Sequence, residues 1–375
     1  MSSPTQAKGF QPPPYPYDRL AGLAEKAAAH EGGMVDLSIG TPCDPAPPAV
    51  VAALSSSGAE PGYPPSVGSA AYRGAAAAWM RRRLGVEVAP DAIAACVGAK
   101  EFVGTLPQWL RLRRPDRDTV LYPAVSYPTY EMGATLAGCR AVPVAVDRQW
   151  RLDLASVADD DARRALVLWA NSPGNPCGQI DDLGGLAAWA RDRDVLVCSD
   201  ECYVEHTYAG ERRSVLQHGT EGLLALHSLS KRSNLAGLRA GFYAGDGELV
   251  HYLSEVRKHV GMLVPGPVQA AAVVALEDDD HVAVQRERYR ERLELLRAVL
   301  AGMGVEAPMP EGGLYLWAPA PGGDAWGFTG QLAVEAGALV SPGDLYGPPG
   351  AGHVRIAAVQ PMERLELVRR RLLGR

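Results

Sequence analysis

Between residues 46 and 264, short apolar runs alternate with longer stretches of helical spacing. The runs are Ile93–Val97, Thr119–Tyr122, Ala141–Val146, Ala165–Trp169, Val195–Ser199, Leu223–His227 and Leu238–Ala244. Each is short and nearly free of polar residues, which predicts strands covered on both faces. Ala70–Leu84 and Gly184–Arg193 carry Ala, Leu and Arg with helical spacing. The alternation predicts an α/β domain whose seven-stranded sheet is mostly parallel and covered by helices. In such folds ligands bind beyond the carboxyl ends of the strands.

After Pro265 the pattern changes. A helical run, Pro267–Leu276, leads into a charged amphipathic one, His281–Met303. Short strands follow at Gly313–Ala318 and His353–Ala357, around a helix near Trp326–Ala336. These predict a smaller α+β domain. The expected division is 1–45 for an N-terminal arm and part of the small domain, 46–264 for the large domain, and 265–375 for the small C-terminal domain. Ala318–Asp324 and Ser341–Gly352 are Pro/Gly-rich and read as loops. Met1–Pro16 reads as a loose arm, and Asp278–Asp280 as a solvated helix start.

Composition narrows the classes. A chain of 375 residues is long enough for two domains. The net charge of −6 and the scattered basic residues give no nucleic-acid footprint. No apolar run is long enough to span a membrane, and the N-terminus lacks a signal-peptide pattern. The six cysteines form no Cys-x-x-Cys pair and have no histidine cluster beside them. Neither a disulfide framework nor a metal site is expected; free thiols fit a reducing cytoplasm.

Of 37 basic residues only five are lysine. One of them, Lys231, ends Leu226-His227-Ser228-Leu229-Ser230-Lys231, just after a predicted strand. Only a primary amine forms a Schiff base with an aldehyde; a guanidinium does not. Lys231 is therefore the candidate to hold pyridoxal 5'-phosphate (PLP). That cofactor also needs an acid beside its ring nitrogen, a phosphate cradle and a flat stacking partner. Asp200 follows the strand Val195–Ser199 and would need a cation to offset its desolvation. Tyr203, three residues on, and Asn175, in the turn Asn171–Gly178, are candidates to reach the ring's phenolate oxygen. Gly98, Ala99 and Lys100 open a helix after a strand, where free N–H groups bind phosphate. Ser228, Ser230 and Arg239 would complete that cradle, and Tyr127 would stack. Arg355, in an apolar strand, needs an anion, and a substrate α-carboxylate fits. Each has a plain alternative: a surface lysine, an N-cap aspartate, a simple turn, an internal salt bridge for Arg355.

Taken in order, these segments resemble the class I/II aminotransferases of PLP fold type I. The landmarks are Leu37–Pro42, Pro61-Gly62-Tyr63-Pro64, Asn171–Gly178, Ser199–Tyr203 and Ser228–Lys231. Cys177 departs from the threonine usual in that family, but a small residue is kept. The resemblance implies a homodimer in which Tyr63 reaches the phosphate of the other subunit, and a Gly40 near the substrate. It also implies that Lys231 moves the proton from substrate Cα. Tyr15–Leu20, Val97–Glu101, Tyr127–Tyr130, Val256–His259, Gly313–Trp317 and Ser341–Gly347 are similar to the actinobacterial succinyldiaminopimelate aminotransferases. Those act on N-succinyl-LL-2,6-diaminopimelate and 2-oxoglutarate. Another amino-acid aminotransferase, or a PLP-dependent β-lyase or decarboxylase of the same fold, shares the cofactor residues. A PLP-sensing transcription regulator is not expected, because about 40 residues ahead of the sheet leave no room for a winged helix and linker. No Gly-x-Gly-x-x-Gly follows a first strand, so a nicotinamide site is not expected either.

Overall fold

A computed structural model describes residues 9–374. After a 3-10 turn (Pro16–Leu20) and a helix (Ala21–Ala28) comes a two-residue strand, β1 (Val35–Asp36). The large domain follows with β2 (Ile93–Cys96), β3 (Thr119–Pro123), β4 (Arg140–Val144), β5 (Ala165–Asn171), β6 (Leu196–Asp200), β7 (Leu223–Ser228) and β8 (Gly241–Gly245). They form one seven-stranded sheet in the order β2-β8-β7-β6-β5-β3-β4. Strands β3 to β7 pair in parallel; β8 runs antiparallel to both neighbours. Every residue of β5 is buried, as expected of a strand with helices on both faces. Along it Leu168 and Ala170 enter one core, with Tyr72 and Trp79, while Val167 and Trp169 enter the other, with Phe102 and Tyr130.

The strand expected from Leu238 starts only at Gly241. Ala236–Leu238 is a 3-10 turn and Arg239 has a φ of 57°, so neither extends the ladder. The helix Ala70–Leu84 has sequence-encoded ends: Ser69 accepts the Tyr72 N–H, and Gly85 closes it at a φ of 64°.

The second domain holds β9 (Tyr315–Pro319), β10 (Ala338–Leu339), β11 (Ser341–Pro342) and β12 (His353–Ala357). Its antiparallel sheet runs β11-β12-β9, and β1 pairs in parallel with β10. The N-terminal segment is thereby built into this domain, and Val35 and Leu37 share its core with Leu293, Phe328 and Ile356.

Three expectations change. The helix Gly266–Glu277, assigned from the pattern to the second domain, packs Val268, Ala271, Ala272 and Leu276 into the large-domain core beside Tyr72 and Trp79. Pro265 is that helix's N-cap and not a linker. Asp278–Asp280 is not merely solvated: Asp279 accepts from Arg82 at 2.7 Å and pairs with the buried Arg232 at 3.1 Å. Within Ser341–Gly352, Ser341 and Pro342 pair with Arg355 and Val354, so the stretch is not all loop. Among the described residues no helix is long and apolar enough to cross a membrane.

Candidate active site

Strands β5, β6 and β7 end at Asn171, Asp200 and Ser228, and a cavity of about 500 Å³ opens there. Tyr15 and Tyr17 of the N-terminal segment and Tyr315 and Arg355 of the small domain also line it. Gly40, Ala99, Lys100, Tyr127, Asn175, Tyr203, Ser230, Lys231 and Arg239 come from seven separate stretches of chain and meet in the same space. Two candidates do not line it. Gly98 lies just behind Arg239, and Tyr63 is 98% exposed, away from its own chain's cavity.

Lys231 sits in the short helix Leu229–Arg232, capped by the Ser228 side chain, which accepts the Ser230 N–H at 3.1 Å. Its amine donates to the Gly40 carbonyl. Burial, which disfavours the ammonium, lowers its pKa to about 8. Asp200 is buried at the end of β6. Its Oδ2 accepts the Tyr130 hydroxyl at 2.9 Å and its Oδ1 the Cys202 N–H at 3.2 Å. Burial pushes the carboxyl above its usual range against those two donors. No described cation lies within ion-pair distance of it.

Tyr130 escaped the sequence reading. It was visible only as the fourth residue of Tyr127-Pro128-Thr129-Tyr130, and nothing local says that it turns under the sheet end. The phenol is fully buried and stacks on Trp169 at 5.1 Å.

Asn175 and Tyr203 have partners that the sequence did not suggest. Arg355 Nη1 donates to Asn175 Oδ1 at 2.8 Å, and the Asn175 N–H donates to Asn171 Oδ1 at 2.7 Å. The Asn175 amide nitrogen stays free to donate. The Tyr203 and Tyr315 hydroxyls lie 2.9 Å apart. A Cβ on Gly40 would fall 2.0 Å from the Tyr315 hydroxyl, so only glycine fits there.

Arg355 is 2% exposed and forms no internal salt bridge with any described residue. It also donates to the Ser38 carbonyl, and its Nε has no partner. The Tyr315 and Tyr346 rings face it at 4.3 and 4.7 Å. A buried cation without a carboxylate calls for an incoming anion.

On the far side, Gly98 caps the helix Ala99–Arg113 at a φ of 78°. A Cβ there would fall 2.1 Å from Arg239 Nη2, so the glycine makes room for the guanidinium. Among the described residues Arg239 bonds only to the Ala236 carbonyl, at 2.9 Å. The first N–H groups of the helix have no intrahelical acceptor. Arg239 and these groups together can hold a phosphate. Lys100 donates to the Tyr15 hydroxyl at 3.2 Å, and its amine lies 5.9 Å from the centre of the Tyr127 ring.

Comparison with known proteins decides the class. Residues 32–371 match the family model for aminotransferase class I and II. The chain belongs to this family. It is 44% identical to the 4-dedimethylamino-4-oxo-anhydrotetracycline transaminase of Streptomyces rimosus, over 96% of this chain and 99% of that one. It is 33% identical to the LL-diaminopimelate aminotransferase of Syntrophobacter fumaroxidans, over 94% of each chain. The solved structure of a probable N-succinyldiaminopimelate aminotransferase from Thermus thermophilus superposes with a TM-score of 0.86 at 31% identity, covering 96% of this chain and 99% of that one.

As an aminotransferase of this class the protein depends on PLP and exchanges amino groups between amino acids and 2-oxo acids. The residues present fit that cofactor. An isolated buried carboxylate, a buried amine of lowered pKa and an unpaired arginine beside a helix start complement a pyridinium, an aldehyde and a phosphate. When bound, PLP supplies an electron sink that labilises the substrate Cα–H bond.

Proposed function

We propose that this aminotransferase exchanges the amino group of N-succinyl-LL-2,6-diaminopimelate with 2-oxoglutarate, as a cytoplasmic homodimer. The observation that carries the reading is the charge inventory of the cavity. Lys100, Lys231, Arg239 and Arg355 all line it and none has a carboxylate partner among the described residues; Asp200 is the one acid. Lys231 would hold the cofactor and Arg239 its phosphate. Arg355 would take the α-carboxylate. That leaves the Lys100 ammonium, at the mouth beside Tyr15, for a second anion. Glutamate, 2-oxoglutarate and the succinyl arm each carry one.

In this reading Asp200 holds the proton on the cofactor's ring nitrogen, with Tyr130 and the Cys202 N–H fixing its two oxygens. Tyr127 covers one ring face. The free Asn175 amide and Tyr203 donate toward the phenolate oxygen. Ser228 and Ser230 add to the phosphate cradle with the Gly98–Lys100 turn. Lys231 would hold the cofactor's aldehyde and, as a free amine, would be the group that moves the substrate Cα proton. Tyr63, exposed on its own chain, reaches the partner's phosphate. The Streptomyces rimosus relative favours a second reading, in which the amino acceptor is a large carbonyl compound of the kind in that protein's name.

The test is a half-reaction screen that follows loss of the bound cofactor's visible absorbance. A site built for an acylated arm rejects the free ammonium, which would lose solvation without a partner. The succinylated substrate is therefore expected to exceed free diaminopimelate in kcat/KM by at least ~10²-fold. Equal efficiencies, or a preference for an aromatic or branched-chain amino acid, would overturn the substrate while leaving the aminotransferase intact. In the Lys100→Met variant, KM should rise for diacids and stay unchanged for alanine.

A further inference from the structure

The turn that follows β4 is a three-residue hairpin loop. The Asp147 carbonyl accepts the Trp150 N–H at 3.0 Å, the Asp147 N–H donates to the Arg151 carbonyl at 2.8 Å, and Val146 bridges Leu152. Inside the loop, Asp147 Oδ1 accepts the Gln149 and Arg151 N–H groups at 2.8 and 2.9 Å. The last residue of such a loop takes a left-handed φ, which glycine or asparagine adopts with least strain. Here it is a tryptophan, at a φ of 66°. A bulky residue persists in that conformation only where its surroundings over-determine it.

The contacts that hold it lie in the other domain. The Trp150 ring meets the Trp317 ring edge-on at 5.6 Å and the His353 ring at 4.9 Å. Trp317 stands on β9 and His353 on β12, and their rings stack at 5.2 Å. Trp317 is directly opposite Arg355 in the ladder, and His353 is two positions before Arg355 on the same strand. Side chains of a sheet alternate between its faces, so these three share one face. Gly343 lies against the far end of the Trp317 ring, where a Cβ would fall 2.6 Å from it, so that ring has no room to draw back. Tyr346 touches both neighbours: its ring is 6.1 Å from Trp317 and 4.7 Å from the Arg355 guanidinium.

We infer that Trp150 is a positioning residue for the carboxylate anchor: its strained turn wedges the ring against Trp317 and His353, and so fixes the strand from which Arg355 reaches the cavity. The inference rests on the reading of Arg355 given above. A second link crosses the same seam, from Arg151 to both oxygens of Glu311 at 2.8 and 3.0 Å. Its partners are 35% and 36% exposed, so it contributes little. The aromatic contact is the buried one: Trp317 is 3% exposed, and Trp150 packs with Val146, Leu345 and Tyr346 in the same cluster. Trp150 does not line the cavity, so it acts through the strand and not on the substrate.

Trp150→Gly and Trp150→Phe separate the ring from the turn. Glycine relieves the backbone and removes the ring; phenylalanine keeps a ring at the same φ. In the Trp150→Gly holoenzyme, KM for the amino donor and for the keto acid should each rise about threefold or more, the scale of one lost aromatic pair, with kcat changing less. The visible band of the bound cofactor should stay in place, because the residues that hold it stand on the large domain and not on β12. Trp150→Phe should keep both KM values within about twofold of wild type. Trp150→Asn, which also tolerates the left-handed φ, is the second ring-free variant and should match glycine. Unchanged KM values in the ring-free variants would overturn the inference. So would a loss in Trp150→Phe as large as in Trp150→Gly, or a cofactor band that shifts along with KM. Arg355→Lys measured in parallel tells the two readings apart. If it raises both KM values and Trp150→Gly does not, the anchor stands and the brace fails; if it raises neither, the anchor itself fails.

Discussion

Arg355→Lys keeps the charge of the carboxylate anchor and changes its donor count. The guanidinium has five N–H donors. One goes to Asn175 Oδ1 and one to the Ser38 carbonyl, and Nε is among the three left. Two parallel donors can then meet a carboxylate. An ammonium has three donors. With Asn175 and Ser38 served, only one remains, so one charge-assisted hydrogen bond is lost. Such a bond contributes roughly 1.5–3 kcal/mol, which corresponds to a roughly ten- to hundredfold loss of affinity. The α-carboxylate is common to amino donor and keto acceptor, so both KM values should rise together, with kcat changing less. Steady-state kinetics with each substrate varied in turn, alongside the visible spectrum of the bound cofactor, separate this from a collapsed site. An unchanged KM for both substrates would refute the anchor. A rise for the donor alone would show that the acceptor's carboxylate binds elsewhere.

Further outcomes follow from the same geometry. Gly98→Ala puts a methyl against Arg239 Nη2 at a φ of 78°, so PLP affinity of the apoenzyme, read by equilibrium dialysis, should fall about tenfold or more; unchanged affinity would clear Gly98 of the cradle. Only a neutral amine attacks an aldehyde, so the rate at which apoenzyme captures PLP should climb with pH and level off above the Lys231 value of about 8; a flat rate between pH 6 and 9 would contradict the buried amine. Tyr130→Phe removes one of two donors to Asp200, and a kcat loss of about tenfold at unchanged KM is expected, with a shifted visible band of the bound cofactor; an unchanged spectrum would make Tyr130 mere packing. Mixing inactive Lys231→Ala protein with a badly impaired Tyr63 variant should restore activity in hybrid dimers; no complementation would place Tyr63 outside the partner's site.

The sequence by itself determined where most strands of the large domain lie and the order of the polar residues past their ends. Buried strands are short apolar runs, and the residues just past their ends are where a parallel sheet exposes polar groups to a ligand. Asp200, Ser228 and Lys231 were legible for that reason, as was Gly98 at a strand-to-helix turn. The sequence could not show who holds whom across the fold. Arg355 meets Asn175 180 positions away, and the Lys231 amine meets the Gly40 carbonyl 191 positions away. Tyr130 reaches Asp200 over 70. Contacts at such separations leave no periodicity in the chain. Domain membership was hidden likewise. The helix Gly266–Glu277 follows a proline and looks like a new beginning, yet its apolar face matches the one left open by Ala70–Leu84 and Pro48–Ser55. Only packing decides which of two cores an apolar helix joins, because burial rewards area and not sequence order. The same holds for the burial of Asp181, 1% exposed just past an Asn-Pro turn, which only the closing of the fold decides.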